Sequence, residues 1–307
     1  MSTMRRKVRF IALLLLVCSV TSLAQEPPPA PPAVRQDLPP TNDPKEIVRR
    51  ALDVDKTDFQ LARNYTFERR EEIKVLDTSG APKKHEINTY DVAILYDQPY
   101  SRRIRKDDKP LTEQEERKEA EKLDRFIAER KNESEKEHET RLAKQEAKRQ
   151  EERAFVRDVI KAYDFRIVGE EQVEGHDAYI VQALPRKDFH PTQPHADILP
   201  KLRGKIWISK RDYGCVKLEA ETLDTISWGL FLLRIHKGTK FRLEQTRVND
   251  EIWLPRRMSL NASARVALFA NGAVDWESSF SKYKKFTSAA RILPGVAEVQ
   301  PTANSPR

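Results

Sequence analysis

Alternating apolar and polar residues predict that most of the chain forms β-strands. In the first third of the chain, this pattern predicts strands over residues 65–76, around 90–96 and over 100–105. Ser79 and Gly80 provide a turn between the first two strands, which favours a hairpin. Strands joined by short turns pair antiparallel, so we expect an antiparallel sheet to begin here.

The second half of the chain shows the same pattern more strongly. In residues 215–221, Val216 and Leu218 lie on one side of the strand while Lys217 and Glu219 lie on the other. One face of the sheet is therefore expected to be buried and the other solvated. The strands predicted in this half cover residues 165–173, 178–184, 204–209, 215–221, 239–248, 252–264 and 276–283.

A period of 3.6 residues appears in two places. Asn42-Asp43-Pro44 supplies a helix cap followed by proline at the first helical position, and apolar residues then recur at helical spacing from Ile47 to Leu52. We expect a short amphipathic helix there. The second place is residues 112–162, which contain neither glycine nor proline and consist mostly of strong helix formers.

This second stretch is predicted to be a charged helical insert, 112–162. Its apolar residues are confined to its two ends, near Phe126 and near Phe155, so its centre is expected to project into solvent as a long helix or a helical hairpin. Asn132-Glu133-Ser134 is the expected bend. A coiled-coil site for a protein partner is the alternative interpretation, although sustained apolar heptads are missing.

The two ends of the chain indicate export. Residues 1–24 combine a positive start, an apolar stretch and small residues before Ala24, which predicts a cleaved signal peptide. A retained membrane anchor and lipidation at Cys18 are the alternatives. Residues 25–42 form a proline-rich linker that favours an extended polyproline form, and residues 291–307 are predicted to be a disordered tail. Residues 43–290 would then form a single domain, located in the periplasm or secreted.

Charge and cysteine content narrow the function classes. The formal net charge is +8, but four of the cations lie in residues 1–24, which leaves 52 Lys and Arg against 48 Asp and Glu. These charges are interleaved in sign, so no nucleic-acid partner is expected. Cleavage would leave Cys215 as the sole cysteine, so the fold has no intramolecular disulfide and must be held by packing.

Signatures of catalysis are missing from the sequence. It contains no Gly-x-Ser-x-Gly, no phosphate-binding glycine loop, no His-Glu-x-x-His and no paired cysteines. His190 and His195, near Asp188 and Asp197, have residue types that suit a divalent metal, but an ordinary surface loop is the favoured interpretation. Cys215 is expected to be a buried structural thiol. We therefore expect no enzyme activity and no cofactor.

The most unusual stretch is residues 225–235, where strand alternation stops and large apolar side chains crowd together around Trp228 and Phe231. One interpretation is a strand buried on both faces or a short core helix. The other is an apolar lip at the mouth of a hydrophobic groove, or a loop that touches a membrane.

The strand motifs resemble one known family. Asp177-Ala178-Tyr179-Ile180-Val181 leads to Pro185, Gly204-Lys205-Ile206-Trp207-Ile208 forms the next strand, and Val216-Lys217-Leu218-Glu219 follows Tyr213. In this arrangement, residues 165–286 resemble the LolA/LolB-like superfamily, the carrier and receptor of outer-membrane lipoprotein sorting. Residues 25–307 as a whole look like an exported bacterial subgroup with the same charged helical insert.

The resemblance implies a fold and a type of ligand. Members have a curved antiparallel sheet, an incomplete half-barrel whose concave side is plugged by helices, and they hold acyl chains in that hollow. We therefore expect an α+β fold with such a sheet, an N-terminal amphipathic helix and the charged helical insert. The insert departs from the carriers, so no contact with a specific cargo is carried over.

The leading hypothesis is an envelope protein that binds a lipid or a lipidated protein segment. The alternative is an envelope scaffold or sensor whose groove is packed shut and whose helical arm binds a protein partner. Lipid bound to gently purified protein would distinguish the two. The residues predicted to line the hollow and its lip are Ile206, Ile208, Trp228, Leu230, Phe231, Leu233, Phe241, Leu243 and Met258.

Overall fold

A computed structural model describes residues 39–96, 98–193, 196–228, 233–266 and 270–286 of the chain. The predicted signal peptide, most of the proline-rich linker, the predicted tail and part of the predicted lip lie outside these ranges.

The described residues form an α+β structure built on one large antiparallel sheet. Its strands are β1 (Tyr65–Leu76), β2 (Pro82–Leu95), β3 (Gln98–Lys106), β4 (Lys109–Pro110), β5 (Tyr163–Val173), β6 (His176–Pro185), β7 (Leu202–Ser209), β8 (Cys215–Thr222), β9 (Ile226–Trp228), β10 (Leu233–Ile235), β11 (Lys240–Val248), β12 (Ile252–Val266) and β13 (Ala270–Lys285). Across the sheet the order is β4-β3-β2-β1-β13-β12-β11-β8-β7-β6-β5, and β9 and β10 extend from β12. Because β4 and β5 are different edges, the sheet is open and not a closed barrel.

Three α-helices accompany the sheet in the described ranges. They are α1 (Pro44–Leu61), α2 (Glu113–Lys131) and α3 (Glu135–Ala162), and there are 3-10 segments at Ala62–Asn64 and Ala196–Lys201. Helix α1 begins at the predicted cap, where the Asp43 side chain accepts a hydrogen bond from the Lys45 backbone N–H. Helices α2 and α3 are separated at residues 132–134, the predicted bend, and each begins with a capping box.

The predicted strands agree with the observed ones in most places, but β2 begins at Pro82 and not near Tyr90, β9 and β10 were not predicted as strands, and the last hairpin also differs. The prediction of β1 matches both of its ends, whereas β13 starts at Ala270, well before the predicted start near Trp276. The early part of β13 is rich in small residues, and its pairing partner Leu76 lies at the far end of β1. Local sequence pattern carries no information about such a distant partner.

Both edges of the sheet are protected against pairing with other strands. Helix α2 lies along β3, where the Glu119 carboxylate accepts a hydrogen bond from the Arg103 backbone N–H at 3.4 Å. On the other edge, β5 carries an irregularity between Ile167 and Gly169, with Val168 as the extra residue. Covered edges and bulges are the usual means by which sheet proteins avoid aggregation.

None of the helices in the described ranges is both long enough and apolar enough to cross a membrane.

Candidate functional site

An apolar row crosses five neighbouring strands on one face of the sheet. Strand register places one residue from each of β6, β7, β8, β11 and β12 side by side, and we call these residues the apolar row: Val181, Ile206, Leu218, Leu243 and Met258. Val181 is fully buried and Met258 is 2% exposed. The row therefore forms the floor of two core clusters, one that contains Leu243 and Met258 and one that contains Val181.

In the described ranges, this floor is covered by two helices and a 3-10 segment and not by a second sheet. Ile198 of the 3-10 segment and Phe155 of α3 pack against the cluster that contains Leu243 and Met258. At the β6–β7 end, Ile47 and Val48 of α1 cover Val181 and Ile208. Access to the floor is thus controlled by a few side chains on short or peripheral elements.

The apolar row continues into a polar end. The next residues in register after Met258 are Ser278, Glu71 and Asn88, on β13, β1 and β2. Glu71 accepts a hydrogen bond from the Trp276 Nε1 at 3.2 Å and lies 3.7 Å from the guanidinium of Arg69. Ser278, Glu71 and Asn88 therefore form a polar patch on this face, next to the apolar side chains of Ile73, Trp276 and Phe280.

Two polar atoms at this end lack a hydrogen-bond partner among the described residues. They are Ser278 Oγ, in a residue with no exposed surface, and Arg69 Nε. The Arg69 guanidinium also lies over the Tyr90 ring, 5.1 Å from its centroid. Buried polar atoms without partners are costly, at about 1–3 kcal/mol each, and are seldom retained without a role.

The structure brings together five of the nine residues predicted to line the hollow. Ile206, Leu243 and Met258 belong to the apolar row, and Phe241 lies in the adjacent row of the same face. Ile208 is buried beneath α1. The predicted lip is described only in part: Trp228 ends β9 and Leu233 begins β10, while Leu230 and Phe231 lie outside the described residues.

Sequence reasoning missed the polar end and the anchored cover. Asp158, in α3, is 1% exposed and accepts hydrogen bonds from the Thr192 hydroxyl at 2.9 Å, the Thr192 backbone N–H at 3.1 Å and the Gln193 backbone N–H at 3.2 Å. Gln193 precedes the 3-10 segment that carries Ile198, so Asp158 ties this cover to α3. The signal available in the sequence was that Asp158 is a lone carboxylate among apolar residues of a helix.

The opposite face of the sheet is charged and solvated. Arg203 pairs with Glu221 at 2.8 Å and Arg242 pairs with Glu219 at 2.7 Å, both across neighbouring strands. A shallow cavity of about 720 Å³ lies over these strands and is lined mainly by such charged side chains. Because cations and carboxylates alternate there, the face offers no concentrated charge of one sign.

The residues considered for metal binding or reactivity have ordinary environments. The Arg186 guanidinium bonds Asp188 and lowers the pKa of that carboxyl, while His195 lies outside the described residues. The part of the chain that is described contains no group of three or more His, Cys, Asp or Glu placed to hold a metal. Burial raises the pKa of the Cys215 thiol to about 12, as expected for a structural thiol.

Comparison with known proteins gives weak similarities. No protein-family profile and no curated protein sequence matches the chain. Among solved structures, the chain is similar to an outer membrane lipoprotein-sorting protein domain from Vibrio parahaemolyticus, with 9% identity and a TM-score of 0.32 over 80% of this chain and 94% of that chain.

Two further structures are similar to about the same extent. One is a DUF1329 family protein from Desulfovibrio piger, with 13% identity and a TM-score of 0.28 over 81% of this chain and 95% of that chain. The other is a LolA superfamily protein from Nitrosomonas europaea, with 9% identity and a TM-score of 0.27 over 80% of this chain and 94% of that chain. Structures of the lipoprotein-sorting superfamily are thus among those that the chain resembles, as the strand motifs predicted. TM-scores below 0.5 transfer no residue role, ligand or partner to this chain.

Proposed function

We propose that this chain is an exported envelope protein that binds a lipid or a lipidated protein segment on the apolar face of its sheet. The observation that carries the proposal is the apolar row, which crosses five strands and is covered by side chains from α1, α3 and the 3-10 segment and not by a second sheet in the described residues. In this proposal residues 1–24 direct export and are cleaved near Ala24. The sheet curves into an incomplete half-barrel around the ligand.

The energetics of displacement support this proposal. Burying one methylene group is worth about 0.8 kcal/mol, so ten methylenes of an acyl chain contribute about 8 kcal/mol. Removing one large side chain such as Phe155 from a core costs about 3–5 kcal/mol. An acyl chain that replaces the Phe155 side chain over the apolar row therefore gains about 3–5 kcal/mol, which offsets part of the entropy cost of association.

The polar end of the row favours an amphiphile over a purely apolar ligand. A head group at Ser278 and Arg69 would meet two donor atoms that have no partner among the described residues. An acyl tail would then lie along Met258 and Leu243. The proposed ligand therefore has a hydrogen-bond acceptor or an anionic group at one end and a hydrocarbon chain at the other.

The lip remains part of the proposal. Trp228, Leu230, Phe231 and Leu233 would stand at the mouth of the hollow, next to the paired strands β10 and β12. A Phe231→Asp change would then weaken binding of a fluorescent fatty acid without moving the denaturation midpoint. If Phe231 is ordinary core instead, the change buries an unpaired charge and lowers stability by about 3 kcal/mol or more.

The cover provides a sharper test with a matched control on the same helix. Phe155 packs against both the main core cluster and the neighbouring one, whereas Val159 packs only against the neighbouring one. Phe155→Ala should change the Kd for a fluorescent fatty acid at least several-fold, and Val159→Ala should leave it unchanged. Equal Kd values for both variants and the parent chain would contradict the proposed binding face.

A second candidate function is a scaffold or sensor that binds a protein through the helical arm. Glu133, between α2 and α3, accepts two hydrogen bonds from the Arg141 guanidinium at 2.8 and 2.9 Å. These bonds are the main reason that the pKa of Glu133 is lowered to about 2. This contact fixes the corner of the arm and so presents its charged surface in one direction. If the purified protein carries no lipid and binds a partner that Glu133→Ala releases, this second function is favoured.

A further inference from the structure

A cluster of aromatic side chains lies at the corner of the sheet where β2 turns into β3. The Phe126 ring of α2 is 5.0 Å from the Tyr100 ring and 6.3 Å from the Tyr96 ring, and the Arg130 guanidinium lies 5.5 Å from the Phe126 centroid. We call these four residues the aromatic corner. Aromatic and arginine side chains are the residues most enriched at binding hot spots.

Tyr96 is the most unusual member of this corner. It is 41% exposed, and Tyr96 and Val168 are the two large hydrophobic residues with exposed side chains in the described ranges. Its φ of 50° lies in the left-handed region, which a hairpin turn normally fills with Asn, Asp or Gly. A bulky side chain at such a φ is a genuine outlier. Strained residues of this kind concentrate at functional sites.

The chemistry of the corner fits an extended proline-rich segment. Grooves lined by aromatic rings recognise the polyproline helix, because its ring faces pack on aromatic faces and it loses little entropy on binding. This chain carries such a segment itself: Pro28 and Pro31, and likewise Pro29 and Pro32, have the Pro-x-x-Pro spacing.

The start of the described chain lies within reach of the corner. Arg50 donates a hydrogen bond to the Pro39 carbonyl at 2.8 Å and stacks over the Tyr213 ring, so Pro39 lies near the β7–β8 turn. The sheet is antiparallel throughout and β2 and β7 are six positions apart in it, so the β7–β8 and β2–β3 turns are at the same end of the sheet.

Standard strand and polyproline spacings show whether residues 25–38 are long enough to reach the aromatic corner from Pro39. Six strand intervals of about 4.8 Å separate the two turns by roughly 29 Å along the sheet. Residues 25–38 span about 43 Å as a polyproline helix at roughly 3.1 Å per residue. The proline pairs at 28–32 lie 7–11 residues before Pro39, which corresponds to about 22–34 Å and brackets the distance to the corner.

We propose that residues 25–38 of this chain dock on the aromatic corner formed by Tyr96, Tyr100, Phe126 and Arg130 of the same molecule. The docked segment runs along the end of the sheet from the β7–β8 turn to the β2–β3 turn.

Paramagnetic labelling of the whole exported chain tests this inference. A spin label is attached at Ala30→Cys in the processed chain, which lacks Cys18. The Cys215 thiol does not compete for the reagent, because burial raises its pKa to about 12. The signals of isotopically labelled Tyr and Phe rings are then recorded. The expected result is loss of the ring signals of Tyr100 and Phe126. The signals of labelled Tyr and Phe rings near Val168, on the far edge of the sheet, should be retained.

Two variants keep the outcome interpretable. Tyr96→Asn removes the ring and suits a positive φ, so the turn is kept while the signal loss at Phe126 disappears. Val168→Thr, at the other exposed hydrophobic residue, should leave that signal loss intact. Retained Phe126 signals in the parent chain, or an unchanged loss in Tyr96→Asn, would overturn the proposal.

A mixing experiment separates the chain's own segment from that of a second copy. Spin-labelled chain without isotopes is mixed with isotopically labelled chain without a spin label. Docking within one molecule predicts no signal loss in the mixture. Loss in the mixture would show that the segment of a second copy occupies the corner and would overturn the intramolecular proposal.

Discussion

Replacing Asp158 with asparagine should loosen the cover of the apolar row. The change keeps the size of the side chain but turns one acceptor oxygen into a donor, which faces the donors of Thr192 and Gln193. The loop that these two residues anchor leads directly into the 3-10 segment, so Ile198 should lose its fixed position over the core.

The expected magnitude follows from the hydrogen bonds. Bonds to a charged acceptor are worth about 1.5–3 kcal/mol each. Thr192 is exposed, so its donors can return to water and the loss is smaller than the sum of the three bonds. A loss of about 2–3 kcal/mol in the free energy of unfolding is expected, which lowers the melting temperature by roughly 5–10 °C in a domain of this size.

The assay combines thermal denaturation with hydrogen exchange at residues 196–201. Exchange there should accelerate in Asp158→Asn, since the segment opens more often. Asp188→Asn is the matched control, because Asp188 lies in the same loop region with an exposed side chain bonded to Arg186. A melting temperature within about 2 °C of the parent chain, or an equal effect of the two changes, would refute this reasoning.

Three further predictions test other parts of the fold. Gly214→Ala should lower the free energy of unfolding by at least about 2 kcal/mol, because a Cβ there would lie 2.0 Å from Nε1 of the buried Trp253. Gly169→Ala should be tolerated, because the nearest contact of its Cβ would be at 3.7 Å, and thermal denaturation compares the two variants. Cys215 should react with a maleimide at pH 8 only after unfolding, because burial raises its pKa to about 12, and rapid reaction of the native protein would contradict this. Replacing residues 131–149 with a Gly/Ser linker of equal length should leave the melting temperature nearly unchanged, since most of their described side chains are exposed; a fall of more than about 10 °C would show that the arm is part of the fold.

The fold could be predicted from the sequence wherever the signal is local. The period-two pattern predicted both ends of β1. The Asp43 cap marked the start of α1, and Asn132-Glu133-Ser134 marked the break between α2 and α3, whereas the end of α1 at Leu61 was not predicted. Side chains of the apolar row could also be identified, because Ile206, Leu243 and Met258 each lie on the apolar side of an alternating strand. Alternation assigns a face, but it does not say which residues become neighbours.

The polar end of the site depends on pairing between distant parts of the chain. Glu71 meets Ser278 only because β1 pairs with β13, and about 200 residues separate them in sequence. Phe155 and Asp158 were visible merely as apolar and acidic positions at the end of a charged helix. Their contacts with Ile198 and Thr192 depend on where a loop returns to the helix, and local pattern does not encode that position.

Native mass spectrometry of the gently purified, exported protein tests the proposed function most directly. We expect a population of molecules heavier than the polypeptide by the mass of an amphiphile with an acyl chain, and the size of this population should change in Phe155→Ala but not in Val159→Ala. A single species at the polypeptide mass, in protein that also fails to bind an added fluorescent fatty acid, would contradict it.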